Sequence, residues 1–217
     1  MTRSSVGGVV VLSAALAAQL ALATGAQAAA RAENRFGSIT IDGKKAGQVH
    51  YTIEYGEDGE VETLKTRASL SILGIKLFNF EQNLHEVWQQ GGLQTLNGRT
   101  NDDGTIYEAA LSRAPDGYEG TLNQQALDLP GNAFPASVWH YAITGQSLLF
   151  DLKTLELMHV QVARSNETIE VNKVRTPTER FDLTGDWQAS LWFDQNQLLV
   201  QFQYQVDSHK VMIQLDE

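Results

Sequence analysis

The chain has 217 residues, a formal net charge of −10 at neutral pH and no cysteine. An acidic chain of this kind is a poor nucleic-acid binder and is repelled by anionic lipid headgroups. Without cysteine it carries neither disulfides nor thiol chemistry.

Met1 to Ala28 reads as an address rather than as fold. Arg3 gives a short positive start, Val6 to Ala23 is an apolar run, and Ala26-Gln27-Ala28 is an A-x-A cleavage site. Together these predict a secretory signal peptide. No cysteine follows the apolar run, so a lipoprotein anchor is not expected, and no later stretch is apolar and long enough to span a bilayer as a helix. The expected setting is a bacterial periplasm or the cell exterior. Residues 1–28 hold one basic residue and no acidic one, so residues 29–217 carry 15 basic and 26 acidic residues, a net charge of −11. That length suits one domain with a real core.

The pattern after Ala28 is strand, turn, strand. Phe36 to Ile41 precedes the turn Asp42-Gly43-Lys44-Lys45, and Val49, Tyr51, Ile53 and Tyr55 then share one face. Glu57 to Glu60 turns into Val61 to Ile72, with Leu64, Ala68, Leu70 and Ile72 on one parity. Leu73-Gly74 turns into Ile75 to Gln89, where a slip of parity between Phe80 and Trp88 suggests a bulge. Leu93 to Gln125 repeats the grammar around Asp103-Gly104 and Pro115-Asp116-Gly117. Asp-Gly suits the positive φ that a type I′ hairpin turn requires. Asn101 to Gly104 lacks the further oxygen ligands of a calcium loop.

Leu127 to Pro135 breaks the pattern with two of the four prolines and reads as an irregular crossing. Ser137 is placed to cap a short helix over 137–144, followed by a helical or extended piece over 146–152. Strands then resume, with turns expected at Arg164 to Glu167, Thr176 to Thr178, Gly185-Asp186, Asp194 to Gln197 and Asp207 to Lys210. Gln201, Gln203 and Gln205 form a neutral polar face suited to solvent or to a covering partner. The whole predicts a mainly β fold of twelve or thirteen strands. It is a long antiparallel meander forming an open or half-closed barrel, with the 127–152 segment as a short helical lid.

Glu86-Val87-Trp88, Gly92-Leu93, Thr100 to Gly104, Pro135-x-Ser137-x-Trp139 and Leu191-Trp192-Phe193-Asp194 together resemble the exported bacterial proteins of the DUF6134-like family. The resemblance runs over essentially the whole chain after the leader. Members usually have Asn after the Trp of the Pro-x-Ser-x-Trp motif, where this chain has His140. The layout is also similar to DUF3108-like proteins and, more distantly, to the half-open barrels of the lipoprotein carriers LolA and LolB. Those carriers wrap a meander around a helical lid and an acyl-chain cavity. The resemblance implies a fold and no established activity.

Catalytic signatures are missing from the sequence. The five histidines, His50, His85, His140, His159 and His209, show no ligand spacing, and His85-Glu86 point to opposite faces of a strand. Gly145-Gln146-Ser147 lacks the second glycine of a nucleophile elbow, since Leu149 stands in its place. No nucleotide-binding motif occurs, and no cofactor, metal or catalytic residue is assigned. Carboxylate pairs cannot be placed without strand register, and Asp182, Asp186 and Asp194 read as turn residues. The reading therefore leans away from an enzyme. The aromatics are more suggestive, with Trp187 beside a candidate pocket lining of Trp88, Phe134, Trp139, His140, Tyr141, Phe150 and Trp192. They suit a core as well as an apolar pocket. The sequence thus points to an exported binding protein that holds an apolar or lipid-like ligand in a barrel cavity. The alternative is an accessory protein that meets a periplasmic partner through a sheet face or edge.

Overall fold

The computed structural model describes residues 31–56, 59–72, 75–206 and 208–216. The expected signal peptide at 1–28 and the turn residues 57–58, 73–74 and 207 lie outside them. Eight strands come first: β1 Arg31–Ile41, β2 Lys44–Gly56, β3 Gly59–Ile72, β4 Ile75–Gln89, β5 Gly92–Asp102, β6 Thr105–Ala114, β7 Gly117–Leu122 and β8 Gln125–Pro130. Two short ones, β9 Phe134–Pro135 and β10 Leu148–Phe150, flank a single 3-10 turn, Tyr141–Gly145. Five more follow: β11 Leu157–Val171, β12 Val174–Gly185, β13 Ala189–Phe193, β14 Leu199–Val206 and β15 His209–Leu215.

They form one 15-stranded sheet in the order β8 to β1, then β15 to β9. The two ends of the meander meet where β1 pairs antiparallel with β15, Ile39 opposite Ile213. Neighbours pair antiparallel throughout, apart from the parallel β9–β10 pair. The sheet does not close. Its free edges are β8 and β9, joined by 131–133 without a ladder between them, and the expected open half-barrel is what forms.

Alternation explains which side faces inward. Val49, Tyr51 and Ile53 of β2 are buried, as are Leu64 of β3 and Leu84 and Trp88 of β4. Against them packs the segment between β8 and β11, through Ala133, Val138, Ile143, Leu149, Phe150, Leu152 and Leu155. Ile143, Leu149 and Phe150 are wholly buried. This plug fills the trough of the sheet.

Several boundaries differ from those the sequence suggests. Residues 127–130 continue the meander as β8, and the helix expected over 137–144 is only the 3-10 turn. Ser137 makes no helix cap; its hydroxyl is spent on Glu86. Arg164 to Glu167 and Thr176 to Thr178 lie inside β11 and β12, whose hairpin turns at Asn172-Lys173 with both residues at positive φ. Asn123-Gln124 turns in the same way. The turn after β6 is Pro115-Asp116, and Gly117 already belongs to β7. Proline's fixed negative φ forbids the type I′ form expected there. A register shift does occur at Val87/Trp88, yet inward parity runs unbroken, because Gln82 and Glu86 occupy the inward positions between Phe80 and Trp88.

The far half of the β11–β12 hairpin folds over the outer face of β13 to β15. Trp192 Nε1 donates to Glu167 Oε2 at 2.9 Å, and Gln214 Nε2 donates to the Glu170 carbonyl at 2.9 Å. Val171, Trp192 and Val200 form a small buried cluster there. Gln201, expected at solvent or at a partner, is buried, whereas Gln205 is exposed.

Candidate functional site

Glu62 on β3 and Glu86 on β4 stand directly opposite each other in register. Both are 1% exposed. Glu62 shares parity with Leu64, and Glu86 with Leu84 and Trp88, so each falls on the face that turns to the plug. A buried carboxylate must be hydrogen-bonded, and the plug and two neighbouring strand residues do this. Tyr51 hydroxyl donates to Glu62 Oε1 at 3.3 Å, and Trp139 Nε1 to Glu62 Oε2 at 2.6 Å. Trp88 Nε1 donates to Glu86 Oε2 at 2.8 Å. Ser137 hydroxyl lies 2.8 and 2.9 Å from the two oxygens of Glu86.

His140 completes the cluster. Its Nε2 stands 2.8 Å from Glu62 Oε1, an ionic approach that lacks hydrogen-bond alignment and leaves Nε2 with no other partner. Its ring lies over Trp88, with centroids 3.8 Å apart. Burial alone would lower the imidazole's pKa, but the Glu62 contact and the charges of Glu62, Glu86 and Glu60 outweigh it, so the net shift is upward. Glu86 is pushed up to about 7, first by burial and then by the Glu62 charge, against the pull of Ser137, His140 and Trp88. Tyr51 is raised far above the ordinary phenol range by burial and the same two glutamates.

The arrangement therefore brings two carboxyl groups and an imidazole together in one buried cluster. Its composition is also that of a divalent-cation site, since one ligand atom from each residue lies within 4.8 Å of the others. Each carboxylate oxygen already accepts from a tryptophan, serine or tyrosine, so the two carboxyl groups are satisfied by protein donors. The burial of both glutamates puts them out of reach of a substrate. Sequence reasoning missed this pair and gave His140 no such role. The available signal was a glutamate in phase with an apolar strand face, at both positions.

Beside the cluster is a cavity of about 350 Å³. Tyr51 and Trp139, the two donors to Glu62, are part of its wall. Val49, Leu64, Phe80, Phe202 and Ile213 supply apolar surface, and Thr66, Gln82, Asp102, Asp151, Lys153 and Tyr204 supply polar groups. Of the seven candidate pocket residues, Trp139 lines this cavity. Trp88, Phe134 and His140 gather next to it, with Trp88 and Phe134 ring centroids 5.5 Å apart. Phe150 is buried in the plug against Tyr118. Tyr141 packs on Phe181 and Phe193, and its hydroxyl donates to Glu179 at 2.6 Å. Trp192 lies on the outer face of the sheet, under the β11–β12 hairpin and the Arg180 guanidinium. Trp187 also lines the cavity and meets Phe202 edge-on.

The family described as Domain of unknown function (DUF6134) matches residues 38–216. No curated protein matches the chain in sequence. Among solved structures, the chain is similar to a β-barrel-like protein of domain of unknown function DUF1849 from Brucella abortus. The identity is 10% and the TM-score 0.58, over 85% of this chain and 95% of that one. A DUF1089 family protein from Pseudomonas aeruginosa is similar at 13% identity and a TM-score of 0.41, over 70% of this chain and 87% of that one. At such identities the likeness to the first shows the fold alone.

Proposed function

The chain belongs to the DUF6134 family, whose description assigns no activity, and we propose from the site itself that it is a non-enzymatic binding protein for an apolar or amphipathic small molecule. The observation that carries this reading is the cavity of about 350 Å³ between the plug and β2–β4 and β14–β15, with a largely apolar lining and a few polar groups. Small-molecule sites are concave, mostly apolar and fitted with a few polar groups that fix orientation, and this volume falls at the small end of their usual range of roughly 300–1,000 Å³. The inaccessible carboxylates argue for a structural wall rather than a catalytic pair. The sequence of Met1 to Ala28 supports an exported setting for this binding.

The test is native mass spectrometry of the protein purified from the organism that makes it, beside an organic extract of the same sample. The neutral fluorophore N-phenyl-1-naphthylamine serves as a probe of the empty cavity. A bound mass that reappears in the extract, and probe fluorescence that Val206→Trp in the lining suppresses, are expected. A bare protein mass together with no probe uptake overturns the reading.

A second reading rests on β8, whose outer edge has no ladder partner among the described residues. Such an edge can accept a strand from another protein. Crosslinking in intact cells from a photoreactive residue at Ala126 tests it; no stoichiometric adduct counts against it.

A further inference from the structure

The polar lining of the cavity has a definite sign. Asp102, at the end of β5, and Asp151 and Lys153, from the loop after β10, all line it. Lys153 Nζ sits 2.8 Å from Asp102 Oδ2, and 5.1 Å from the centre of the Tyr107 ring. The one cation among the described lining residues is therefore already paired. No Arg or His lines the cavity there. Asp151 Oδ1 accepts from the backbone N–H groups of Lys153 and Thr154 at 2.8 and 2.7 Å, and from the Thr154 hydroxyl at 3.1 Å. The other oxygens, Asp102 Oδ1 and Asp151 Oδ2, accept no hydrogen bond from the described residues. Gln82 spends its Nε2 on Thr100 Oγ1 at 3.1 Å, which leaves its amide oxygen.

The lining thus offers acceptors and one uncompensated negative charge. The field reaches inward: the Tyr204 hydroxyl is pushed up to about 12 by burial and then by Asp102 and Asp151. Behind Tyr51 and Trp139 stands the Glu62 carboxylate. A carboxylate head placed here would meet like charge in a partly desolvated site and would find its only cation occupied. An ammonium or hydroxyl head would supply the donors that the free oxygens lack.

We propose that the cavity takes a single-chain amphiphile whose head is cationic or a hydrogen-bond donor, and that it discriminates against the carboxylate of the same chain. This rests on the cavity reading above. One uncompensated charge at intermediate dielectric is worth about a tenfold step in affinity.

The experiment displaces bound N-phenyl-1-naphthylamine with decylamine, decanol and decanoate at pH 7.5, on the whole protein. Decylamine is expected to displace at a concentration about tenfold below decanoate, with decanol between them. The gap should shrink with added salt, and Asp151→Asn, which leaves the Lys153–Asp102 pair intact, should close it. Asp151→Asn keeps a side-chain oxygen for the Lys153 and Thr154 N–H groups, so the loop geometry is spared. If the probe binds and decanoate displaces it as well as decylamine does, the head-group inference is overturned while the cavity reading stands. If the probe is not taken up and none of the three amphiphiles binds, both fall together.

Discussion

Two glutamates facing each other in a core are costly unless every oxygen has a donor. Ser137 is the donor that both oxygens of Glu86 share, so Ser137→Ala should destabilise the fold by about 2–3 kcal/mol, the range for leaving a buried charged acceptor short of its partner. Equilibrium unfolding in urea measures it, and a loss below roughly 0.5 kcal/mol would mean that water takes over the role. Trp139 has two duties, donating to Glu62 and walling the cavity. Trp139→Phe should weaken probe binding several-fold, whereas Trp192→Phe should leave it unchanged because Trp192 sits on the outer face. Fluorophore titration of the two variants separates them. The glutamates could have been noticed in the sequence, in phase with Leu64 and with Leu84 and Trp88. Their opposition could not, because it depends on the β3–β4 register, which no local pattern reports. His140 was legible as the residue after the Pro-x-Ser-x-Trp motif, but its neighbours come from strands more than 50 residues away.

Hairpins were legible where a glycine marked the turn. Asp42-Gly43 and Asp103-Gly104 have positive φ at both positions, as the residue types require. Asn123-Gln124 and Asn172-Lys173 make the same turn without glycine. Gln and Lys pay a strain there that no sequence rule anticipates, so β8 was read as irregular and the β11–β12 hairpin as two shorter ones. Gln124→Gly and Lys173→Gly should each relieve that strain. Each should stabilise the protein by about 0.5–1 kcal/mol, the left-handed penalty less the extra entropy of glycine. Thermal unfolding checks this, and a lower midpoint in either variant would show that the side chain holds the turn. Two strands of the sequence reading were also hidden by the plug. Its buried residues, among them Ala133, Val138, Ile143, Leu149 and Leu152, follow neither period two nor period 3.6.

The order of strands follows from the meander, but two features of the whole molecule do not: the β1–β15 pairing and the seam between β8 and β9. Both are long-range matters of curvature, set by the plug that the sheet must wrap. The plug joins the two halves of the sheet through Ser137 to Glu86 on β4, Trp139 to Glu62 on β3, and Tyr141 to Glu179 on β12. The protonation of the buried cluster therefore bears on global unfolding. The Glu86 carboxyl, raised to about 7 from an ordinary 4.5, binds a proton in the folded state that the unfolded chain has already lost. Its contribution is full below the ordinary value and is lost as pH rises through about 7. The raised pKa of His140 acts in the same direction, with stability present below its unfolded value and lost above its folded one. Stability should thus fall between about pH 4.5 and 7.5, by up to about 3 kcal/mol from Glu86. At the acid end, Asp182 is held low by Ser190 and Arg180 against the opposing effect of burial, and stability should fall again as that carboxylate protonates. Urea unfolding at half-unit pH steps traces the curve. Glu86→Gln should flatten its alkaline limb while leaving the acid limb in place, because the amide keeps an acceptor for Trp88 and Ser137 and removes the proton. A variant that keeps the full alkaline slope would move the origin to His140, and His140→Asn would then be the substitution that removes it.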